Sequence, residues 1–236
     1  MLETQKLSAG YKDLQVLFDV DFKAERNKIT AVVGPNGSGK STLLKSIFGF
    51  TKIYNGKVIF EGRDITNLPP HEKTKLGIAY LPQTDNVFTN LTVYENLVIA
   101  GYILDETEFI DGLELALSVF PELKDKMNKK AGMLSGGERQ FLAISTALIR
   151  KAKLLMLDEP TAMLSPRFAS QILERVVSLR DELKLTIVLV EQNVIKALEI
   201  SDNAFMLIGG KVAFSGSSED LLKHEKFEKF VVGYTL

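Results

Sequence analysis

The chain has 236 residues, 45% hydrophobic and 25% charged, with a formal net charge of -1. That is enough apolar material for a well-buried core, and it leaves no global basic field to attract nucleic acid or an anionic membrane surface. The lack of cysteine excludes disulfides, thiolate metal sites and cysteine nucleophiles. No run approaches the ~18 apolar residues of a spanning helix, and Met1-Leu-Glu-Thr-Gln has neither the basic nor the apolar region of a secretory leader, so a cytoplasmic protein is expected.

Taken in order, the first thirty residues predict two strands joined by a turn at Ala9-Gly10, with Leu14 to Phe22 as one arm of an antiparallel hairpin. Tyr11 follows that turn. An aromatic there can pack the turn or stack on a base, and the stretch that comes next favours stacking. Ile29 to Val33 is a short β-branched run, Gly34 to Thr42 reads GPNGSGKST, and Leu43, Leu44, Ile47 and Phe48 recur at helical spacing. Strand, glycine loop and helix in that order separate a phosphate-binding loop from a chance G-x-x-x-x-G-K-[ST] match. In such a loop (Gly34, Pro35, Asn36, Gly37, Ser38, Gly39, Lys40, Ser41, Thr42) glycines let backbone N–H groups converge on phosphate oxygens at a helix N-terminus. Lys40 is expected to reach the β- and γ-phosphates and Ser41 to ligate Mg²⁺.

Beyond the first helix, Asn55-Gly56 predicts a hairpin turn before a strand at Lys57 to Phe60, and Pro69-Pro70 breaks the chain ahead of a short helical piece. Gly77 to Leu81 predicts a buried strand. From Val87 to Lys130 the spacing turns helical, with Leu123 to Lys130 a basic, mobile, solvated helix face. Strands return at Leu154 to Leu157 and Thr186 to Val190, with a helix from Pro166 to Leu183 between them, an alternation that implies parallel pairing; Ala204 to Ile208 and Val212 to Phe214, joined by Gly209-Gly210, close the sheet. The tail from Glu219 to Leu236 reads as mixed helix.

Two further stretches carry chemistry. Leu154 to Leu157 ends in Asp158-Glu159, and beside a phosphate loop such a pair suits a Mg²⁺-nucleotide site, Asp158 holding the metal and Glu159 polarising an attacking water as general base. Leu134-Ser-Gly-Gly-Glu138 opens a helix, and Ser135 with Glu138 fits a capping box. Capping leaves Gly136 and Gly137 unexplained, each costing up to ~1 kcal/mol relative to alanine. A first turn stripped of side chains lets a phosphate approach backbone N–H groups and the helix dipole, so Ser135, Gly136, Gly137 and Glu138 form a second anion site.

A phosphate loop, LSGGE, an apolar run ending in DE and a glutamine after an intervening strand together resemble the ATP-binding subunit of an ABC transporter over essentially the whole chain. The resemblance implies an α/β fold, a P-loop (RecA-like) core with a mainly parallel sheet, an N-terminal antiparallel β subdomain and an inserted helical subdomain. It implies one ABC domain over 1–236, with the core at 1–85 and 152–225, the helical insert at 86–151 and a C-terminal tail at 226–236. ATP and Mg²⁺ are the implied cofactors. Tyr11 becomes the adenine-stacking aromatic, Gln83 meets both Mg²⁺ and the attacking water, and Ser41, Gln83 and Asp158 surround the metal. In that family two subunits meet head to tail, LSGGE of one closing over ATP held by the other, while the surface at 84–104 receives a helix of the membrane permease. The resemblance therefore places the subunit peripherally on the inner face of the membrane, with no direct contact to cargo or nucleic acid.

Two positions depart from the family pattern. A catalytic histidine that contacts the γ-phosphate is replaced by Gln192, which donates an amide hydrogen bond but does not titrate near neutrality. Ser165 stands where the loop after Pro160 has an aspartate. Both favour a heterodimer whose partner ATPase supplies the histidine. LVEQN, DITNLPP and LTVYENL are similar to an ATPase subunit of branched-chain amino-acid importers, although members often carry P-E-G-R where this chain has Pro82-Gln83-Thr84-Asp85. Urea uptake and lipopolysaccharide-type export stay open as alternative cargoes. A soluble ABC ATPase acting on nucleic acid or ribosomes is opposed by the near-zero net charge, the single phosphate loop and the absence of a long heptad repeat. LSGGE has no task in a small-molecule kinase or GTPase.

Overall fold

In the computed structural model, which describes residues 1–84 and 86–224, Ile29–Val33 (β3, numbering along the chain) is buried at every position, as a strand covered on both faces must be. It lies between Thr186–Val190 (β8) and Asn203–Ile208 (β9), parallel to both. Leu154–Asp158 (β7) and Ile78–Leu81 (β6) extend the parallel array, and Lys211–Ser217 (β10) closes the other edge antiparallel to β9, giving the order β10-β9-β3-β8-β7-β6. The strand period of two divides the sheet's side chains between two cores. Ala31, Leu155, Leu157, Ile187 and Leu189 enter one; Val32, Met156, Val188 and Val190 enter the other. The second core is completed by Leu43, Leu44 and Ile47 of the helix Lys40–Phe48 (α1) and by a separate antiparallel sheet. The expected α/β class with a parallel-rich sheet and an antiparallel β unit is the one observed.

That antiparallel sheet runs in the order β2-β1-β4-β5 from Leu14–Ala24 (β2), Leu2–Tyr11 (β1), Lys52–Phe60 (β4) and Arg63–Asp64 (β5). Two expected turns are absent. β1 continues through Ala9-Gly10, pairing Gly10 with Gln15 and Tyr11 with Leu14, and the chain reverses at Lys12-Asp13 instead. Gly10 answers to crowding, since a Cβ there lies 2.0 Å from the Leu14 carbonyl oxygen. Asn55-Gly56 lies inside β4 opposite a bulge of β1, where Lys6 and Leu7 face the single residue Gly56 and Gly56 adopts φ +89.

Val93–Ala100 (α3), Glu106–Val119 (α4) and Gly136–Ile149 (α5) each start with a capping box, from Thr92, Asp105 and Ser135. They bury Leu97, Ala116, Phe141, Ile144 and Leu148 in the first core. Leu123 to Lys130 is solvated at Lys124, Lys129 and Lys130, as its charges predict, but it forms a 3₁₀ turn and a loop rather than one helix face. A 3₁₀ turn, Pro121–Lys126, buries Leu123 completely; the carbonyls of Lys129 and Met127 accept the N–H groups of Val93 and Tyr94, and Lys126 pairs with Glu138. The segment caps the first turn of α3, a use of backbone that charge patterning does not reveal. Pro166–Asp181 (α6), Val194–Ile200 (α7) and Ser218–Leu222 (α8) complete the described chain. The expected mixed-helical tail starts with α8, and its residues 225–236 lie outside the described residues. Among the described residues no helix is long and apolar enough to cross a membrane.

Pro70–Lys75 (α2) carries a buried cation. Lys73 is fully buried, its ammonium donating to the Ile47 carbonyl oxygen at 2.7 Å, and among the described residues no carboxylate pairs with it. Burial brings its pKa down to about 8. Between that value and the unfolded value of about 10.4, the unfolded chain holds a proton that the folded chain has released, so stability contributed here rises with pH across the window. Below pH 8 both states are protonated and the folded one bears the desolvation cost. Lys73→Met is therefore expected to stabilise the protein by about 2 kcal/mol at pH 7, after allowing for the lost hydrogen bond. Urea denaturation at pH 7 and pH 10 should show that advantage shrinking at the higher pH; an advantage independent of pH would contradict the account.

Candidate functional site

The loop between β3 and α1 is shaped by its glycines. Gly34, Gly37 and Gly39 have φ of +143, +75 and +103, conformations that other residues adopt at a cost. A Cβ on Gly34 would meet the Leu207 carbonyl oxygen at 2.1 Å, whereas one on Gly37 has nothing within 4 Å. No side chain caps the N-terminus of α1 at Gly39, so the unsatisfied donors of its first turn face the loop. The Lys40 ammonium is folded back into this cradle, donating to the carbonyl oxygens of Gly34 at 2.9 Å and Pro35 at 3.0 Å. Burial pulls its pKa down, and the nearby carboxylates of Glu159 and Asp158 oppose that shift. The Ser38 hydroxyl is buried without a hydrogen-bond partner among the described residues. An uncapped helix start, a confined ammonium and an orphaned hydroxyl fit the oxygens of a phosphate chain.

β7 delivers the carboxylates. Asp158 Oδ1 accepts the Ser41 hydroxyl at 2.8 Å, and Oδ2 accepts the Tyr80 phenol at 3.0 Å. Burial, reinforced by the charge of Asp158, pushes the Tyr80 pKa far up, so the phenol stays a donor. Glu159 turns out of the strand with φ +52, its N–H bonded to the Val190 carbonyl oxygen. Its Oε2 accepts both the Gln83 amide, at 2.9 Å, and the Gln192 amide, at 2.7 Å. Glu191, next to Gln192, is buried; its carboxylate accepts the backbone N–H of Thr161 at 3.1 Å and of Gln192 at 3.3 Å, and burial pushes its pKa up. It thereby holds the loop after β7 to the end of β8.

Lys40, Ser41, Thr42, Gln83, Glu159 and Gln192 meet around a cavity of about 370 Å³ whose floor is Asn36, Gly37 and Gly39. Asp158 stands behind Ser41. The Ser41 hydroxyl with the Asp158 carboxylate bonded to it, and the Gln83 amide lining the same cavity as Ser41, offer oxygen donors of the type that suits Mg²⁺. Tyr11 ends β1 with 40% of its surface exposed and is not among the lining residues. Ser135, Gly136, Gly137 and Glu138 do not line this cavity either. They form the capped start of α5, with Glu138 Oε2 accepting the Ser135 N–H at 2.8 Å. Ser165 is the N-cap of α6 but makes no side-chain cap bond. Tyr80 and Glu191 escaped the reading of the sequence. The parallel register Asp158↔Val190 sets Glu191 level with Glu159, a relation visible only once the two strands are known to be neighbours.

A second cavity, of about 500 Å³, is walled in part by Phe48, Phe50, Tyr80, Phe88, Ile99 and Arg150. Its wall is mixed, an aromatic cluster beside the polar side chains of Asn86, Asn96 and Arg150, with the Arg150 guanidinium bonded to the Ala100 carbonyl oxygen at the end of α3.

Residues 17–162 match the family described as ABC transporter. Over 99% of its length the chain is 65% identical to the probable branched-chain amino acid transport ATP-binding protein LivF of Archaeoglobus fulgidus, covering 99% of that protein. A solved ATP-binding cassette of an ABC transporter, in its ADP conformation, matches with a TM-score of 0.88 and 28% identity over 99% of both chains. A dimeric ATP-binding cassette in a post-hydrolysis state, bound to ADP and Pi, matches with a TM-score of 0.78 and 25% identity, over 92% of this chain and 99% of the other.

Proposed function

The chain belongs to the ABC transporter family, and from that membership we propose that it is the ATP-hydrolysing motor subunit of an importer of branched-chain amino acids. ATP-binding cassettes of this family are ATPases that act as dimers with a membrane permease. The observation that carries the reading for this chain is the convergence of Lys40, Ser41 and Glu159 on one cavity, in a sequence 65% identical throughout to the Archaeoglobus fulgidus protein.

The loop Gly34 to Thr42 and Lys40 neutralise the phosphates, and Tyr11 stacks the adenine. Ser41, Gln83 and Asp158 hold Mg²⁺, which when bound supplies charge neutralisation on the phosphate oxygens. Glu159, steadied by two amides, accepts a proton from water as the water oxygen bonds to the γ-phosphorus and the bond from that phosphorus to the β-phosphate oxygen breaks. Ser135 to Glu138 close over the nucleotide of the opposing cassette through backbone N–H groups. The helical insert at 86–151 carries that motif, and the core takes 1–85 and 152–225. The aromatic groove, which includes Phe88 and Ile99 of the expected permease surface at 84–104, receives the permease, so the subunit works on the cytoplasmic face of the membrane without touching cargo.

The opposing cassette is a different chain. Gln192 bonds to Glu159 as a neutral donor, and a partner with histidine at that place supplies the titratable group this chain lacks. Reconstitution in liposomes with the permease tests both parts. Leucine, isoleucine and valine uptake driven by Mg-ATP is expected when the second ATPase is present, and uptake at least tenfold weaker when this subunit acts alone. Permease-stimulated ATP turnover without uptake of any of the three would rule out the cargo, and full uptake by this subunit alone would rule out the heterodimer.

A further inference from the structure

We propose that Tyr80 is a positioning residue of the nucleotide site, tying the Asp158 carboxylate to the aromatic wall of the neighbouring groove. Asp158 is almost wholly buried and receives two hydrogen bonds, one on each oxygen: Ser41 Oγ on Oδ1 at 2.8 Å and the Tyr80 hydroxyl on Oδ2 at 3.0 Å. One donor leaves a carboxylate free to turn about its own axis; a second on the other oxygen fixes its plane. The first donor sits on the phosphate loop's helix. The second belongs to β6 and is reached from a different surface.

That surface is the groove. The Tyr80 ring lies 5.7 Å from Phe48 and 6.1 Å from Phe50, which are themselves 5.2 Å apart. Phe50 is more than half exposed. A guest that covers Phe50 therefore packs against a ring cluster of which Tyr80 is a member, and the same side chain ends on Asp158. The groove, which Tyr80 lines, and the nucleotide cavity, which Ser41 lines, are thus joined through three hydrogen-bonded side chains, Tyr80, Asp158 and Ser41. Tyr80→Phe removes only the oxygen and keeps the wall of the groove, which separates the two halves of the role.

This inference rests in part on the proposed permease docking, and the experiment is divided accordingly. In the isolated subunit, binding of a fluorescent ATP analogue is titrated with Mg²⁺. Tyr80→Phe should raise the Mg²⁺ concentration for half-saturation about tenfold, the size of effect seen when a ligand's supporting partner is lost, while binding in EDTA stays at the wild-type level. An unchanged Mg²⁺ requirement overturns the positioning role, whatever the permease does. In membranes containing the permease, Tyr80→Phe should bind with wild-type affinity but show at least a threefold smaller stimulation of ATP turnover. Wild-type stimulation overturns the link to the groove, and failure of the wild-type subunit to bind the permease overturns the docking reading while leaving the Mg²⁺ result to stand by itself.

Discussion

Replacing Glu159 with glutamine is expected to lower ATP turnover about a thousandfold while leaving nucleotide affinity within about threefold of wild type. The two effects separate because the carboxylate has no share in the phosphate cradle. Lys40 is held by the carbonyl oxygens of Gly34 and Pro35, and Ser41 by Asp158; none of these contacts changes. Glutamine has nearly the shape of glutamate, and its carbonyl oxygen can still accept from Gln83 or Gln192, which now meet on Glu159 Oε2. What it cannot do is take a proton. The backbone argues for a dedicated role as well: Glu159 adopts φ +52, a conformation that costs a non-glycine residue about 1 kcal/mol and that aims the side chain back into the cavity. Single-turnover phosphate release and analogue binding, measured on the assembled transporter, give the two numbers. Turnover within tenfold of wild type would remove Glu159 from the role of base.

The parts of this molecule that could be read from its sequence are those in which a local pattern has one physical meaning. A β-branched run, a glycine loop with lysine and serine, and a helical repeat have few joint solutions, and they fold as β3, the phosphate loop and α1. The acidic end of β7 was legible for the same reason. Gly10 and Gly56 were misread because a glycine that makes room for a neighbouring strand looks, in sequence, like a glycine that makes a turn; the difference lies in the Leu14 and Lys6 carbonyls that crowd them. In Leu123 to Lys130 the lysines announce the solvent that Lys124, Lys129 and Lys130 do meet, but not the one buried leucine and two carbonyls that tie the segment down. Tyr80 and Glu191 were out of reach altogether. Each is a polar group inside an apolar strand or at its end, and its purpose depends on which strand lies alongside.

The pair of glycines in LSGGE is where sequence and structure give different reasons, and substitution can tell them apart. Gly137→Ala is expected to destabilise the protein by about 1–3 kcal/mol, although alanine is the better helix former by up to ~1 kcal/mol. A Cβ at Gly137 would stand 2.2 Å from Phe168 Cδ1 on α6 of the same chain, and three atoms of that ring lie closer than 3 Å. Its Cβ direction is thus spent on internal packing. Gly136 differs: a Cβ there would meet one atom, Leu164 Cδ2 at 2.9 Å, the far end of a flexible side chain. Gly137 therefore serves the join between α5 and α6, and Gly136 is the position that leaves bare backbone for the phosphate of the opposing nucleotide. Thermal denaturation and ATP turnover of three variants decide the matter. Gly137→Ala should lose stability and regain most of it when combined with Phe168→Ala, a coupling of at least about 1 kcal/mol in a double-mutant cycle, with turnover recovering in step. Gly136→Ala should keep its stability within about 0.5 kcal/mol and lose turnover at least tenfold. If Phe168→Ala restores nothing, the crowding is not what requires glycine at 137, and both glycines return to the single task of admitting a phosphate to bare backbone.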